Sequence, residues 1–121
     1  MRVRAVRGAI QLREDSAEAM RDGVRRLLAQ LLERNGIAEE RIVSIIFSQT
    51  GDLTAENPAR ALRRAGFAAT PLFCTAEPEY PESLPRTLRV LLSFETEAAG
   101  EARPVYLDGA HSLRPDISGS G

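Results

Sequence analysis

The feature that most constrains this chain is a one-sided helical stripe near its start. Met20, Val24, Leu27, Leu28, Leu31 and Leu32 recur at helical spacing, while Arg21, Arg25, Arg26 and Glu33 cover the other side. The spacing predicts an amphipathic helix over about Ser16 to Arg34, stopped by Asn35-Gly36. Asp15, with Glu18 three residues later, reads as the capping box that starts it. A helix that is apolar on one side only must lie against another layer.

The rest of the sequence supplies a sheet as that layer. Arg2 to Leu12 alternates, with Val3, Ala5 and Arg7 on one side and Arg4 and Val6 on the other. Gly8 inside this strand points to a bulge or to the close approach of a ligand. Arg41 to Thr50, containing IVSIIF, reads as a buried strand by its β-branched content. Pro58 opens a short helix to Ala65, which Gly66 ends. Strands follow at Ala69 to Thr75, Arg86 to Glu95 and Pro104 to Leu107, and then a short helical end. The order β-α-β-α-β-β-β predicts an α+β fold, a mixed sheet with one long and one short helix on one face. A sheet covered on one face only packs its other face against a partner, so an oligomer is expected.

Length and composition narrow the function. At 121 residues the chain suits one domain, expected over 1–116, with a mobile tail at 117–121. All 16 basic residues are arginine, so lysine Schiff-base chemistry is excluded and each cation is a planar fork suited to carboxylate or phosphate. Seventeen acids offset them to a net charge of −1, against a nucleic-acid partner bound through a broad basic face. One cysteine and one histidine leave no intrachain disulfide and no multi-histidine metal site. No apolar run is long enough to cross a bilayer, and a cytoplasmic location is the expectation. Neither a phosphate-binding P-loop nor a dinucleotide-binding glycine pattern occurs.

Three arginines, Arg4, Arg7 and Arg89, sit where a strand would point them at a chosen face. Arg89 stands out because it lies between Leu88 and Val90 in the most apolar strand. A charge buried there has to be paired or functional; an edge position or a structural ion pair is the plainer reading. Glu77, just before Pro78, is either a solvated loop carboxylate or a partner for Arg89. Cys74 reads first as a small buried hydrophobe, Tyr106 as an aromatic at the core edge, and Arg60, Arg63 and Arg64 as a solvated helix face.

Taken in order, five segments resemble a known family. RVRAVRGAI, SQTGDLTAENPARALR, PLFCTAEP, LPRTLRVLLSF and RPVYLDGAHSLRPDIS together resemble the small single-function chorismate mutases of the trimeric α+β class. The resemblance spans Arg4 to Asp116. It implies a homotrimeric pseudo-barrel with its sites at subunit interfaces. It also implies the conversion of chorismate to prephenate by a concerted Claisen rearrangement, with no cofactor and no metal, in phenylalanine and tyrosine biosynthesis.

Carried over position by position, the resemblance implies that Arg7 holds the substrate's side-chain carboxylate and that Tyr106 assists it. Arg89 is implied to face the ether oxygen, Glu77 to meet the ring hydroxyl, and Cys74 to line that side. Ala59, Arg60 and Arg63 of the neighbouring subunit are implied to close the site, with Leu72 and Phe73 lining it through their backbone. Leu113 and Arg114 are implied to cover it. Asn57 stands where the family often has phenylalanine, which puts the apolar rim of the site in question; Arg60 stands where it often has lysine and keeps the charge. The alternative is a trimeric small-metabolite-binding protein, deaminase-like or noncatalytic.

Overall fold

The computed structural model describes residues 1–113. Arg114 and the tail at 117–121 lie outside the described residues. The chain runs β1 (Arg2–Gln11), α1 (Ala17–Asn35), β2 (Ile42–Gln49), α2 (Pro58–Arg64), β3 (Leu72–Ala76), β4 (Thr87–Thr96) and β5 (Val105–Leu107). One 3₁₀ turn at Glu39–Arg41 precedes β2, and another at Asp108–Leu113 follows β5. The strands form one sheet in the order β3-β2-β4-β1-β5. β1 and β2 flank β4 antiparallel, while β5 adds to β1 and β3 to β2 in parallel.

The helix layer follows from the alternation. Val6 and Ile10 of β1, Ile45 and Phe47 of β2, and Leu88, Val90, Leu92 and Phe94 of β4 point to one side. Leu27, Leu28 and Leu31 of α1 join them in a single buried cluster. Each such side chain contributes about 1.5–3 kcal/mol by leaving water. Arg4 lies opposite Phe94 and therefore belongs to this helix-covered side. Gly8 makes no bulge, because the β1–β4 register is unbroken. The close approach at Gly8 comes from α1: a Cβ there would lie 3.0 Å from Leu31 Cδ1 and 3.2 Å from Leu27 Cδ1. The irregularity falls instead in β2, between Ile42 and Ser44.

The start of α1 differs from the capping box expected. Ser16, in an extended conformation, takes the N-cap position and its side chain accepts the N–H of Ala19. This leaves Asp15 free to accept the backbone N–H groups of Thr54 and Ala55 and the Thr54 hydroxyl, tying the helix start to the loop before α2. Those bonds hold the Asp15 carboxyl below its usual range, the Thr54 hydroxyl most of all. At the other end Gly36 adopts φ 59°, as the Asn-Gly stop requires. β3 begins at Leu72, later than expected, because Pro71 has no N–H to offer and joins β2 only through its carbonyl, which accepts from Ile45.

The other face of the sheet is bare. It carries Val3, Arg7, Ile46, Phe73, Leu91 and Arg89, all exposed. Val3 is 62% and Phe73 64% exposed, a patch of the kind that marks an interaction surface.

Candidate functional site

Two clusters of the expected residues form, on opposite sides of the sheet. The first is built on the bare face by strand register. Arg89 lies opposite Ala9 on one side and Ser48 on the other, and Tyr106 lies opposite Ala9. Ser48, Arg89, Ala9 and Tyr106 therefore form one row across four strands, which places Tyr106 roughly 10 Å from Arg89 at the Cα level. Arg7, opposite Leu91, sits in the next row on the same face.

Glu77 reaches this row from the end of β3. Its N–H donates to the Gln49 carbonyl at 2.8 Å, extending the β2–β3 pairing by one bond. Its Oε1 accepts from the Ser48 hydroxyl at 2.8 Å and lies 3.4 Å from Arg89 Nε. The ion pair is therefore real, but Arg89 is not buried: its side chain is 49% exposed and that of Glu77 20%. The surrounding strand is apolar because alternate residues feed the helix layer, while Arg89 has the opposite parity. Its terminal nitrogens and Glu77 Oε2 carry no hydrogen bond among the described residues, so both remain free for a ligand.

A cavity of about 270 Å³ opens beside the pair. Thr50 and Thr87 line it as nearly buried residues, and Pro78, Tyr80, Ser83, Leu84 and Leu113 line the remainder. Leu113 gets there because the last 3₁₀ turn packs against β1 and β5. Arg89 is the one cation lining this cavity among the described residues, against the carboxylates of Glu77 and Glu82. Sequence reasoning missed the two threonines and the loop from Tyr80 to Leu84. For Thr87 the signal was present, since it stands two residues before Arg89 and shares its face.

The second cluster lies at the α2–β3 edge, on the helix side. Asn57 is the N-cap of α2, with its Oδ1 accepting the Arg60 N–H at 3.1 Å. That gives the polar residue at this position a job phenylalanine could not do. Cys74 pairs with Phe47 and so points to the helix layer, its Sγ 3.6 Å from Asn57 Oδ1. The thiol thus lies across the sheet from Arg89 of the same chain, and only the backbone of Cys74 is shared between the two sides. Leu72, like Cys74, packs against the core, while Phe73 faces outward on the bare side.

Within α2, Ala59 is half-buried and Arg60 is exposed, 4.0 Å from Glu56. Arg63 uses one terminal nitrogen to donate to the carbonyls of Phe67 and Ala68, holding the loop after the helix. Glu56 gathers Arg21 of α1 at 3.4 Å and Arg64 of α2 at 3.9 Å. Its carboxyl is held below its usual range, first by the Asn57 backbone N–H and then by Arg21, Arg64 and Arg60, against the opposing effect of desolvation. This knot fixes α2 against α1 and presents Arg60 at the molecular edge.

Among the described residues no helix is long and apolar enough to cross a membrane. Comparison with known proteins gives a consistent result. Residues 3–117 match the family described as chorismate mutase type I. Chorismate mutase AroH of Thermus thermophilus is 44% identical over 117 residues, covering 95% of this chain and 96% of that protein. Chorismate mutase AroH of Bacillus subtilis strain 168 is 32% identical over 120 residues, covering 98% and 94%. Among solved structures, the chorismate mutase from Clostridium thermocellum superposes with a TM-score of 0.86 at 37% identity, covering 90% of this chain and 98% of that one.

Proposed function

The chain belongs to the type I chorismate mutase family, and on that premise we propose that it isomerises chorismate to prephenate in a site completed between subunits of a homotrimer. The observation that carries the shared site is the division described above. Arg7, Glu77, Arg89 and Tyr106 stand on the bare face, while Asn57, Ala59, Arg60 and Arg63 stand on the helix side of the same chain. One chain cannot close them round one small molecule. A neighbouring copy laid on the bare face can, and the exposed Val3, Ile46, Phe73 and Leu91 give that contact an apolar core.

Charge supports the same reading. Chorismate is a dianion, and the cavity of a single chain has one lining cation facing two carboxylates. Arg7 from the same face, with Arg60 and Arg63 from the neighbour, would turn the balance positive. Arginine is the fitting cation because its fork engages a carboxylate through two bonds and so fixes geometry as well as charge. Holding the flexible substrate in its compact, reactive conformer removes much of the entropic barrier.

The reaction breaks a C–O bond as a C–C bond forms, and no proton is transferred. Negative charge grows on the ether oxygen as its bond lengthens. The free terminal nitrogens of Arg89 would meet that charge, and a donor already fixed there stabilises the transition state more than the ground state. Glu77, with Oε1 committed to Ser48 and Arg89, has Oε2 left to accept the ring hydroxyl. Leu113 and Arg114 would cover the opening, Leu72 and Phe73 would line it through their backbone, and Cys74 would contribute its main chain. The setting is the biosynthesis of phenylalanine and tyrosine in the cytoplasm.

The direct test follows the loss of the diene absorbance of chorismate in the presence of the purified protein. Turnover to prephenate is expected; no turnover by folded, oligomeric protein would favour a binding role. Arg7→Ala is expected to raise KM by about tenfold or more with a smaller effect on kcat, as loss of a binding contact should. An unchanged KM would remove Arg7 from the carboxylate site.

A further inference from the structure

We propose that Asp52 is a positioning residue for Arg89, acting through the strained entry to β4. Asp52 lines no part of the cavity and sits in the exposed turn after β2. Its carboxylate nevertheless accepts the Arg86 N–H with both oxygens, at 3.1 and 3.0 Å, and the Thr50 hydroxyl at 2.6 Å. Arg86 has φ 50°, a left-handed conformation that a non-glycine residue keeps only when its surroundings impose it.

The bonds continue inward from there. Thr50 Oγ1, having donated to Asp52, accepts the Thr87 N–H at 3.0 Å, and the Thr50 N–H donates to the Thr87 carbonyl at 3.1 Å. From the other side the Arg86 carbonyl accepts the Leu12 N–H at 2.8 Å, and Arg86 Nε donates to the Leu12 carbonyl at 3.0 Å. Arg86 is thus held between the ends of β1 and β2. Thr50 and Thr87, both nearly buried, are the next link and line the cavity themselves. Arg89 follows two residues later on the same face.

A carboxylate has no donor of its own, so it fixes the direction of the whole relay: Thr50 must donate outward and is left to accept from Thr87. Without that anchor Arg86 can relax to negative φ. The peptide between Arg86 and Thr87 then turns, and the cavity wall and Arg89 shift together. A displacement of about 1 Å in a charge-stabilising group is enough to cost roughly a hundredfold in rate.

The inference rests on the assignment of Arg89 to the ether oxygen, and its test keeps the two apart. Asp52→Ala, assayed with chorismate well below its melting temperature, is expected to lose kcat by about tenfold or more with KM within about threefold, because the affected contact forms in the transition state. Asp52→Asn keeps one acceptor oxygen and is expected to retain most of kcat. Arg86→Gly removes the strain, so adding Asp52→Ala to it should cost little further rate. This pair also carries the test if Asp52→Ala alone does not fold. Folded Asp52→Ala with normal kcat would overturn the proposal, as would an equal loss in the Arg86→Gly background. If Arg89→Ala is itself fully active, the site assignment has failed; if Arg89→Ala is inactive and Asp52→Ala normal, only this inference has.

Discussion

Arg89→Ala is expected to lower kcat by roughly two to three orders of magnitude, the usual result of removing one preorganised donor at a developing negative charge, about 3–4 kcal/mol. The fold should survive. Arg89 is half-exposed on the uncovered face and has no place in the apolar cluster, so its loss opens no cavity there. Nor does it leave a stranded partner, since Glu77 keeps the Ser48 hydroxyl and its backbone bond to Gln49. Circular dichroism and the melting temperature should therefore stay close to those of the parent while the chorismate assay falls nearly silent. Arg89→Lys should recover only part of the rate, because a point charge cannot span the ether oxygen and Glu77 as a planar fork does. Near-normal turnover by Arg89→Ala would sink the mechanism.

Much of the frame was readable from sequence because its signals are local. The α1 stripe, the Asn35-Gly36 stop and the alternation in β1 each depend on near neighbours, and each appears close to where it was read. The errors share a physical cause. Period-2 alternation says which residues share a side but not which side the helices cover. Arg89 in LRVLLSF thus reads as a buried charge, although it faces away from the core. Cys74 shows the opposite case: it reads as a small buried hydrophobe and does pack against the core, its side set by its pairing with Phe47. Asp15 reads as a helix cap because its spacing to Glu18 fits one, while its partners at 54 and 55 are far along the chain.

The site residues divide along the same line. Residue types and order carry the family resemblance, and with it Arg7, Glu77, Arg89 and Tyr106, which share one face. The threonines at 50 and 87 and the carboxylate of Asp52 carry no motif. They matter only because the ends of β1, β2 and β4 meet there, a contact made by chain topology. Set beside the family pattern, Asn57 puts the apolar rim in question. In the fold it caps the start of α2 by accepting the Arg60 N–H, and asparagine before proline is the local capping signal for it.

Mixing two inactive variants is expected to restore activity, and this is the sharpest test of a site shared between copies. Arg89→Ala spoils only the bare-face half. Arg60→Ala combined with Arg63→Ala spoils only the α2 half, removing two exposed side chains of the helix edge. In the proposed closed ring each bare face would meet the α2 edge of the next subunit. When the two variants are unfolded together and refolded as an equal mixture, a site is intact where a subunit with normal Arg89 meets one with normal α2 arginines. Random assembly makes about a quarter of the sites intact. Activity should thus climb from near zero to about a quarter of the parent value, with the parent KM, since the restored sites lack nothing. Each variant refolded alone should remain silent. Were all the residues of one site drawn from a single chain, every site in the mixture would carry one lesion or the other, and no activity would return. The outcome turns on whether Arg60 and Arg89, on opposite sides of one sheet, face the same substrate in the assembly.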